Sequence, residues 1–351
     1  MRRGYTPVMH HPELPGPRGP LSAAVLDVLA GRGTLDGSLA GRPVDPATDP
    51  YGDDLQLALY VLYELHYRGF DGVDAELEWD PDLLSLRREL ERLFSEALQR
   101  DVPASDDVDA EVAALLVEPV EPSGPAAHLE REGELWQLRE YVAHRSLYHL
   151  KEADPQAWVI PRLQGRAKAS LVTVEHDEFG AGRAEHAHSR LFAEMMADLD
   201  LDDRYGAYVD AAPAATLATV NAMSLWGLHR RWRGALVGQF ALVEITSPPG
   251  SARLVKAMQR LGASEVAQRF YDEHVEADAV HEQLVRHDLL GGLLADEPHL
   301  AADVVFGLRA ATFLDDRLDD QLLRCWSDGV SSLRDGAGDR TLRRWLVSQN
   351  G

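Results

Sequence analysis

The sequence predicts an all-α fold, and three observations carry that prediction. Apolar residues recur at three- and four-residue spacing over stretches of about 12 to 25 residues. Alternation of period two is absent throughout, and no Asn-Gly dipeptide sits between two apolar runs as a hairpin would need. The stretches are bounded by proline, glycine and small polar residues, as the helices of a bundle are.

In chain order, residues 1 to 20 carry five prolines and little apolar pattern, and read as a flexible arm. A short helix follows over Leu21 to Ala30, ended by Gly31 and Gly33, and residues 34 to 52 are turn-rich. From Asp53 to Gly69 a strongly apolar run reads as a buried helix. Asp80-Pro81 opens another, with proline at its first position and a stripe through Leu83, Leu84, Leu86, Leu90 and Leu93. These two helices lie in an N-terminal helical region, 21 to 105. Prolines, small residues and acids make 106 to 128 a linker or long surface loop.

A helical core is expected over 129 to 335. Its helices run from Leu129 to Lys151, Arg162 to His176, Ala184 to Asp198, Ala211 to Leu228, Arg230 to Ile245, Ser251 to Leu261, Ser264 to Leu290 and Pro298 to Trp326. Thr246-Ser-Pro-Pro-Gly250 is a sharp stop between two of them, since proline neither donates the helical bond nor tolerates a helical residue before it. An amphipathic helix or tail through Leu342, Trp345 and Leu346 completes 336 to 351.

Composition narrows the function classes. The formal net charge of -23 disfavours nucleic acid and anionic membrane surfaces, which need cationic patches. No run of about 18 apolar residues offers a membrane span. Cys325 is the single cysteine, so no disulfide forms within the chain and thiolate clusters are excluded. No apolar signal-peptide core follows Met-Arg-Arg at the N-terminus, and a cytoplasmic location is expected.

Three segments carry metal-binding chemistry. In Tyr271 to Glu282, His274, Asp278 and His281 stand at i, i+4 and i+7 and project from one helix face. Two imidazoles and a carboxylate on one stripe suit iron, manganese or zinc. A second segment, Val174 to Ser189, holds Glu175, His176, Asp177, Glu178, Glu185, His186 and His188. Ten residues of unbroken helix would separate Glu178 from His188 by about 15 Å; Gly180 and Gly182 permit a break that folds His188 back. A third segment, Leu150 to Ala169, contains Glu152, the cap-like Asp154-Pro155, and Arg162, Arg166 and Lys168, which suit charge balance or a carboxylate ligand. On local sequence alone each segment also reads as an ordinary polar surface. His66 reads as a core histidine, and His144 and His149 flank Glu152.

Together the segments "LKEADPQAWVIPRLQGRAKASLV", "DEFGAGRAEHAHSRLFAEMM", "EITSPPGSARLVKAMQRLG" and "FYDEHVEADAVHEQL" resemble the iron-containing redox enzyme family, a branch of the haem-oxygenase-like di-metal oxidases and oxygenases, over roughly residues 130 to 330. The resemblance implies a haem-oxygenase-like helical bundle with an additional N-terminal helical region. It implies six metal ligands, Glu152, Glu178, His188, His274, Asp278 and His281, holding two Fe (Fe2+/Fe3+), with O2 as co-substrate. The first ligand of the third set is histidine here, where some relatives carry glutamate. The implied activity is a non-haem di-iron oxidase or oxygenase acting through a peroxo-di-iron species on a small metabolite: an amino acid, an amine or a fatty acid. Nothing in the sequence suggests a built-in flavin or iron–sulfur reductase, so an external electron donor is expected, and a homodimer is the expected assembly. Two alternatives stay open, a haem oxygenase and a metal-binding helical protein without redox turnover; a metal-free thiaminase-like enzyme needs a catalytic cysteine in the bundle, and Cys325 lies far down the chain with no acid–base dyad nearby in sequence.

Overall fold

The computed structural model describes residues 11–33, 44–117 and 119–334, apart from the side chains of residues 276–280, and every regular element among them is helical. Residues 1 to 10 of the expected arm and the expected C-terminal piece around Leu342, Trp345 and Leu346 lie outside the described residues.

The N-terminal region is built as its pattern demands. α1 (Pro20–Leu29) packs on α2 (Asp53–Glu64), which is buried from Leu55 to Glu64. α3 (Pro81–Asp101) starts where the Asp80 carboxylate accepts the Asp82 and Leu83 N–H groups, at 3.0 and 2.9 Å. Leu83, Leu86, Leu90, Phe94 and Leu98 form its buried face. Residues 11 to 19, expected as the end of a loose arm, are docked instead. Arg18 pairs with Asp53 at 3.2 Å and donates to the Val209 carbonyl, while Gly16 N–H donates to Asp210.

The segment 106 to 128, expected as linker or loop, contains α4 (Val108–Leu115) and the start of α5 (Gly124–Arg131). Nor does one helix span 129 to 151. α5 ends at Arg131 and α6 (Leu135–His149) begins anew, its Glu134 N–H captured by the Gln137 side chain at 2.7 Å. The short α7 (Asp154–Ala157), α8 (Gly165–Glu178), α9 (His188–Asp198) and α10 (Ala214–Leu228) follow, and residues 150 to 153 between α6 and α7 are turn rather than helix.

The largest correction concerns Thr246 to Gly250. α11 (Arg233–Leu261) runs straight through Pro248 and Pro249 as one helix of 29 residues, about 44 Å long. Thr246 Oγ1 donates to the Leu242 carbonyl at 2.8 Å, and both halves of the helix are held from outside. α12 (Glu265–Gln283) and α14 (Ala301–Ser327) pack along it, and Arg260 ties its C-terminal half to the Leu129 and Glu130 carbonyls of α5. Tertiary packing thus overrides a local stop signal. α12 does not continue as α-helix to Leu290 either: residues Leu284–Leu290 form a π-helical segment leading into α13 (Gly291–Asp296). No helix among the described residues is long and apolar enough to cross a membrane.

α11 and α14 cross backbone to backbone. A Cβ on Gly238 would overlap the Val304 carbonyl, and one on Gly307 the Ala235 carbonyl. Neither obstacle is a flexible side chain that could swing aside. Gly307→Ala should therefore push the two helices apart and destabilise the protein by about 1–3 kcal/mol, read as a lower midpoint in urea unfolding.

Candidate metal centre

Five elements bring titratable side chains to one buried point between α6, α8, α9, α11 and α12. α8 ends at Glu178, and the chain reverses through three consecutive left-handed residues: Gly180 (φ 80°), Ala181 (φ 51°) and Gly182 (φ 82°). At Gly180 a Cβ would collide with the backbone of Arg183, His186 and Ala187, so the turn needs glycine there. The reversal sets His188 at the first position of α9, with its Nδ1 2.6 Å from Glu178 Oε2. The fold-back read from the two glycines is what the structure contains.

Two groups form around Glu178. In the first, ligating atoms of Glu152, Glu178, His188 and His274 all lie within 4.8 Å of one another; in the second, so do those of Glu178, Glu244 and His281. All six residues are buried. Glu178 turns Oε2 to His188 and Oε1 to His281 Nδ1, the latter at 3.8 Å, so its two oxygens serve the two groups separately. Asp278 lies on α12, but its side chain is outside the described residues. Of the six residues expected from the sequence, five are thus brought together.

Glu244 joins them unannounced. It comes from α11, and its Oε2 is 3.2 Å from His281 Nδ1. In the sequence it is the one acid in the apolar run Ala235 to Ile245, which would have been the signal.

Each imidazole is oriented through its other nitrogen or its neighbours. His274 Nδ1 donates to the Phe270 carbonyl at 2.7 Å; a carbonyl only accepts, so a proton sits on Nδ1, and Nε2 is the nitrogen that faces Glu152, 4.0 Å away. His281 Nε2 donates to Asp177 Oδ2 at 3.2 Å, leaving Nδ1 for Glu178 and Glu244. This carboxylate–histidine pairing is how metal-binding imidazoles are commonly fixed. His149 Nδ1 lies 2.9 Å from Glu152 Oε1. Phe192 and Phe270 pack against His149, and Phe270 also packs on His274, which closes this side of the cluster with apolar rings.

The electrostatics call for a cation. Burial raises the cost of charging Glu152, but His149, His274 and His188 outweigh it and hold the carboxyl down at about 2. Even so, Glu152 Oε2 has no hydrogen-bond donor, and His188 Nδ1, although close to Glu178, is not aligned to hydrogen-bond it. Buried acceptors that converge without donors are costly unless a metal takes the donor's place. Carboxylate oxygens and imidazole nitrogens are the set that iron or manganese accepts. The residues fit such an ion.

One acid is left over. Glu175, one turn before Glu178 on α8, is buried with neither oxygen hydrogen-bonded. Burial, with the charges of Glu178 and Glu244, pushes its carboxyl up to about 9. The arginines expected to receive a carboxylate lie elsewhere: Arg162 donates to the Gly227 and Leu228 carbonyls at the end of α10, and Arg166 is exposed beside Asp288.

A family model described as iron-containing redox enzyme matches residues 139–316, a span that includes all six buried residues and Asp278. No curated protein matches the chain. Among solved structures, the chain is similar to a CADD-like protein of unknown function from Nostoc punctiforme PCC 73102, with 15% identity and a TM-score of 0.50, covering 64% of this chain and 96% of that one. It is also similar to a domain of unknown function with a haem oxygenase-like fold from Shewanella denitrificans OS217, with 17% identity and a TM-score of 0.48, covering 66% and 97%. The expected all-α, haem-oxygenase-like bundle stands.

Two outcomes follow from the geometry. Gly180→Ala should displace His188 and weaken divalent-metal binding by about 10-fold or more, measured by equilibrium titration. Glu175 retains its proton in the fold far above its ordinary value of 4.5, so its contribution to stability is complete below about pH 4.5 and fades as pH rises through about 9. Glu175→Gln should therefore flatten the alkaline decline in the melting temperature of the metal-free protein and raise its Tm near pH 8.5 by about 5 °C.

Proposed function

The chain belongs to the iron-containing redox enzyme family, and we propose that it is a non-haem di-iron, dioxygen-dependent oxidase or oxygenase acting on a small metabolite. The observation that carries this reading is the sharing of Glu178 between two buried carboxylate–imidazole groups. Glu152, His188 and His274 would hold one iron, Glu244 and His281 the other, and Glu178 would bridge them. Asp278, at the matching place in the family's motif, would complete the set. When bound, a pair of ferrous ions supplies two electrons and open coordination positions for dioxygen.

The protein's own part is preparation. Phe270 and Asp177 fix the two α12 imidazoles in the tautomers that present a lone pair to the centre. His149 steadies Glu152, and the rings of Phe192 and Phe270 exclude water from that side. Tyr148 borders the same carboxylates, and burial with the charges of Glu152 and Glu178 raises its phenol well above the ordinary value. It therefore stays a protonated donor at neutral pH. The substrate would be an amino acid, an amine or a fatty acid, and an external donor would return electrons after each turnover.

Anaerobic titration of the metal-free protein with ferrous iron, followed by exposure to oxygen, tests the reading. Two equivalents should bind per chain, and oxygen uptake should follow. Glu178→Ala should lose both ions' high affinity, and His281→Ala should lose one. Iron binding and oxygen uptake that are indifferent to both substitutions would refute the proposal.

A further inference from the structure

Glu152 differs from the other buried residues of the centre in one respect. Glu178, His188, Glu244, His274 and His281 all stand on helices, whereas Glu152 lies in the turn between α6 and α7. Helix geometry alone does not set its direction. The chain just before it is, however, tethered to the N-terminal region. Lys151 Nζ is 3.0 Å from Glu64 Oε2, and the two side chains are essentially inaccessible. The Tyr205 hydroxyl donates to Glu64 Oε1 at 2.6 Å, and Arg68 N–H donates to the same oxygen at 3.3 Å. The Arg68 guanidinium donates to the Leu150 carbonyl at 3.0 Å and lies 4.0 Å over the Tyr205 ring. The Tyr67 ring centre is 4.2 Å from the Lys151 ammonium.

A buried ion pair is a poor way to gain stability, since desolvating both charges offsets much of their attraction. What such a pair does well is specify one arrangement, because any other leaves a charge buried without its partner. Here the arrangement specified is the backbone of residues 150 and 151, one residue from Glu152. The Lys151 side chain is held toward α2, while the next side chain in the turn, Glu152, faces His149 and His274.

We propose that Glu64 and Lys151 are positioning residues of the metal centre, aiming the Glu152 carboxylate through the turn that carries it. The inference rests on the reading of Glu152 as a metal ligand. It makes the N-terminal helical region part of the centre, although Glu64 lies outside residues 139–316 matched by the family model. Arg68 and Tyr205 act through Glu64 and the Leu150 carbonyl, and none of the four touches the metal.

The test compares full-length variants by anaerobic competition titration with ferrous iron against a coloured chelator, and by the visible spectrum of the cobalt(II)-loaded protein. Glu64→Gln/Lys151→Met removes both charges together and leaves no unpaired ion. It should keep the helical circular dichroism of the wild type yet bind one of the two ions about 10- to 100-fold more weakly, with an altered cobalt spectrum. Tyr205→Phe, which keeps the ring and deletes one hydrogen bond, should weaken the same ion several-fold, and it decides the matter if the double variant does not fold. Arg309→Ala, which breaks a remote ion pair with Glu111, should change neither readout. Wild-type affinity for both ions in the folded double variant, or in Tyr205→Phe where the double variant does not fold, would overturn the inference while leaving the di-iron reading intact. A wild-type protein that takes up no ferrous iron would sink both.

Discussion

A single carboxylate has to face two sets of buried imidazoles, and much of the bundle is arranged to make that tolerable. Glu178 sits at the last position of α8, directs one oxygen to His188 and the other to His281, and does so with almost no access to water. A carboxylate in such a place is sustained only by groups that compensate its charge, and here imidazoles arrive from two other helices while a third brings a second carboxylate. α9 supplies His188 because the glycine turn reverses the chain. α12 supplies His274 and His281 on one face. α11 supplies Glu244 from its first half, ahead of the two prolines it continues through.

The same constraint explains what surrounds the cluster. Imidazoles in an apolar bundle need their second nitrogens engaged, and the Phe270 carbonyl and Asp177 engage those of His274 and His281. α11 needs neighbours along its whole length to remain one helix across Pro248 and Pro249. The close crossing with α14, made with Gly238 and Gly307, and the ties from Arg260 to α5 supply them. In this sense the fold and the site are one problem: the helix with the weakest local case for continuity also carries Glu244, the lone acid of its apolar first half.

How much of this was legible in the sequence follows from the range of the forces involved. Helical period and capping are local, so the stripes of α2 and α3 and the common face of His274 and His281 could be read directly. The reversal at Gly180 and Gly182 was legible because only a break makes ten residues short enough. The continuity of α11 was not, because packing decided it against a local stop signal. The separation of α5 from α6 was missed for the opposite reason: the Glu134–Gln137 cap is a weak pattern inside an apolar stretch. Glu244 and Asp177 were not assigned because their partners are distant in sequence. Arg162 illustrates the converse error, a cation whose chain neighbours suggested a ligand and whose spatial neighbours are backbone carbonyls.

The account stands or falls on whether Glu178 lies between two metal ions. Crystals of the protein loaded anaerobically with ferrous iron, measured on both sides of the iron absorption edge, put that question directly. The account predicts two anomalous peaks flanking the Glu178 carboxylate, one among Glu152, His188 and His274 and the other beside Glu244 and His281. A single peak, or peaks that Glu178 does not join, would contradict it.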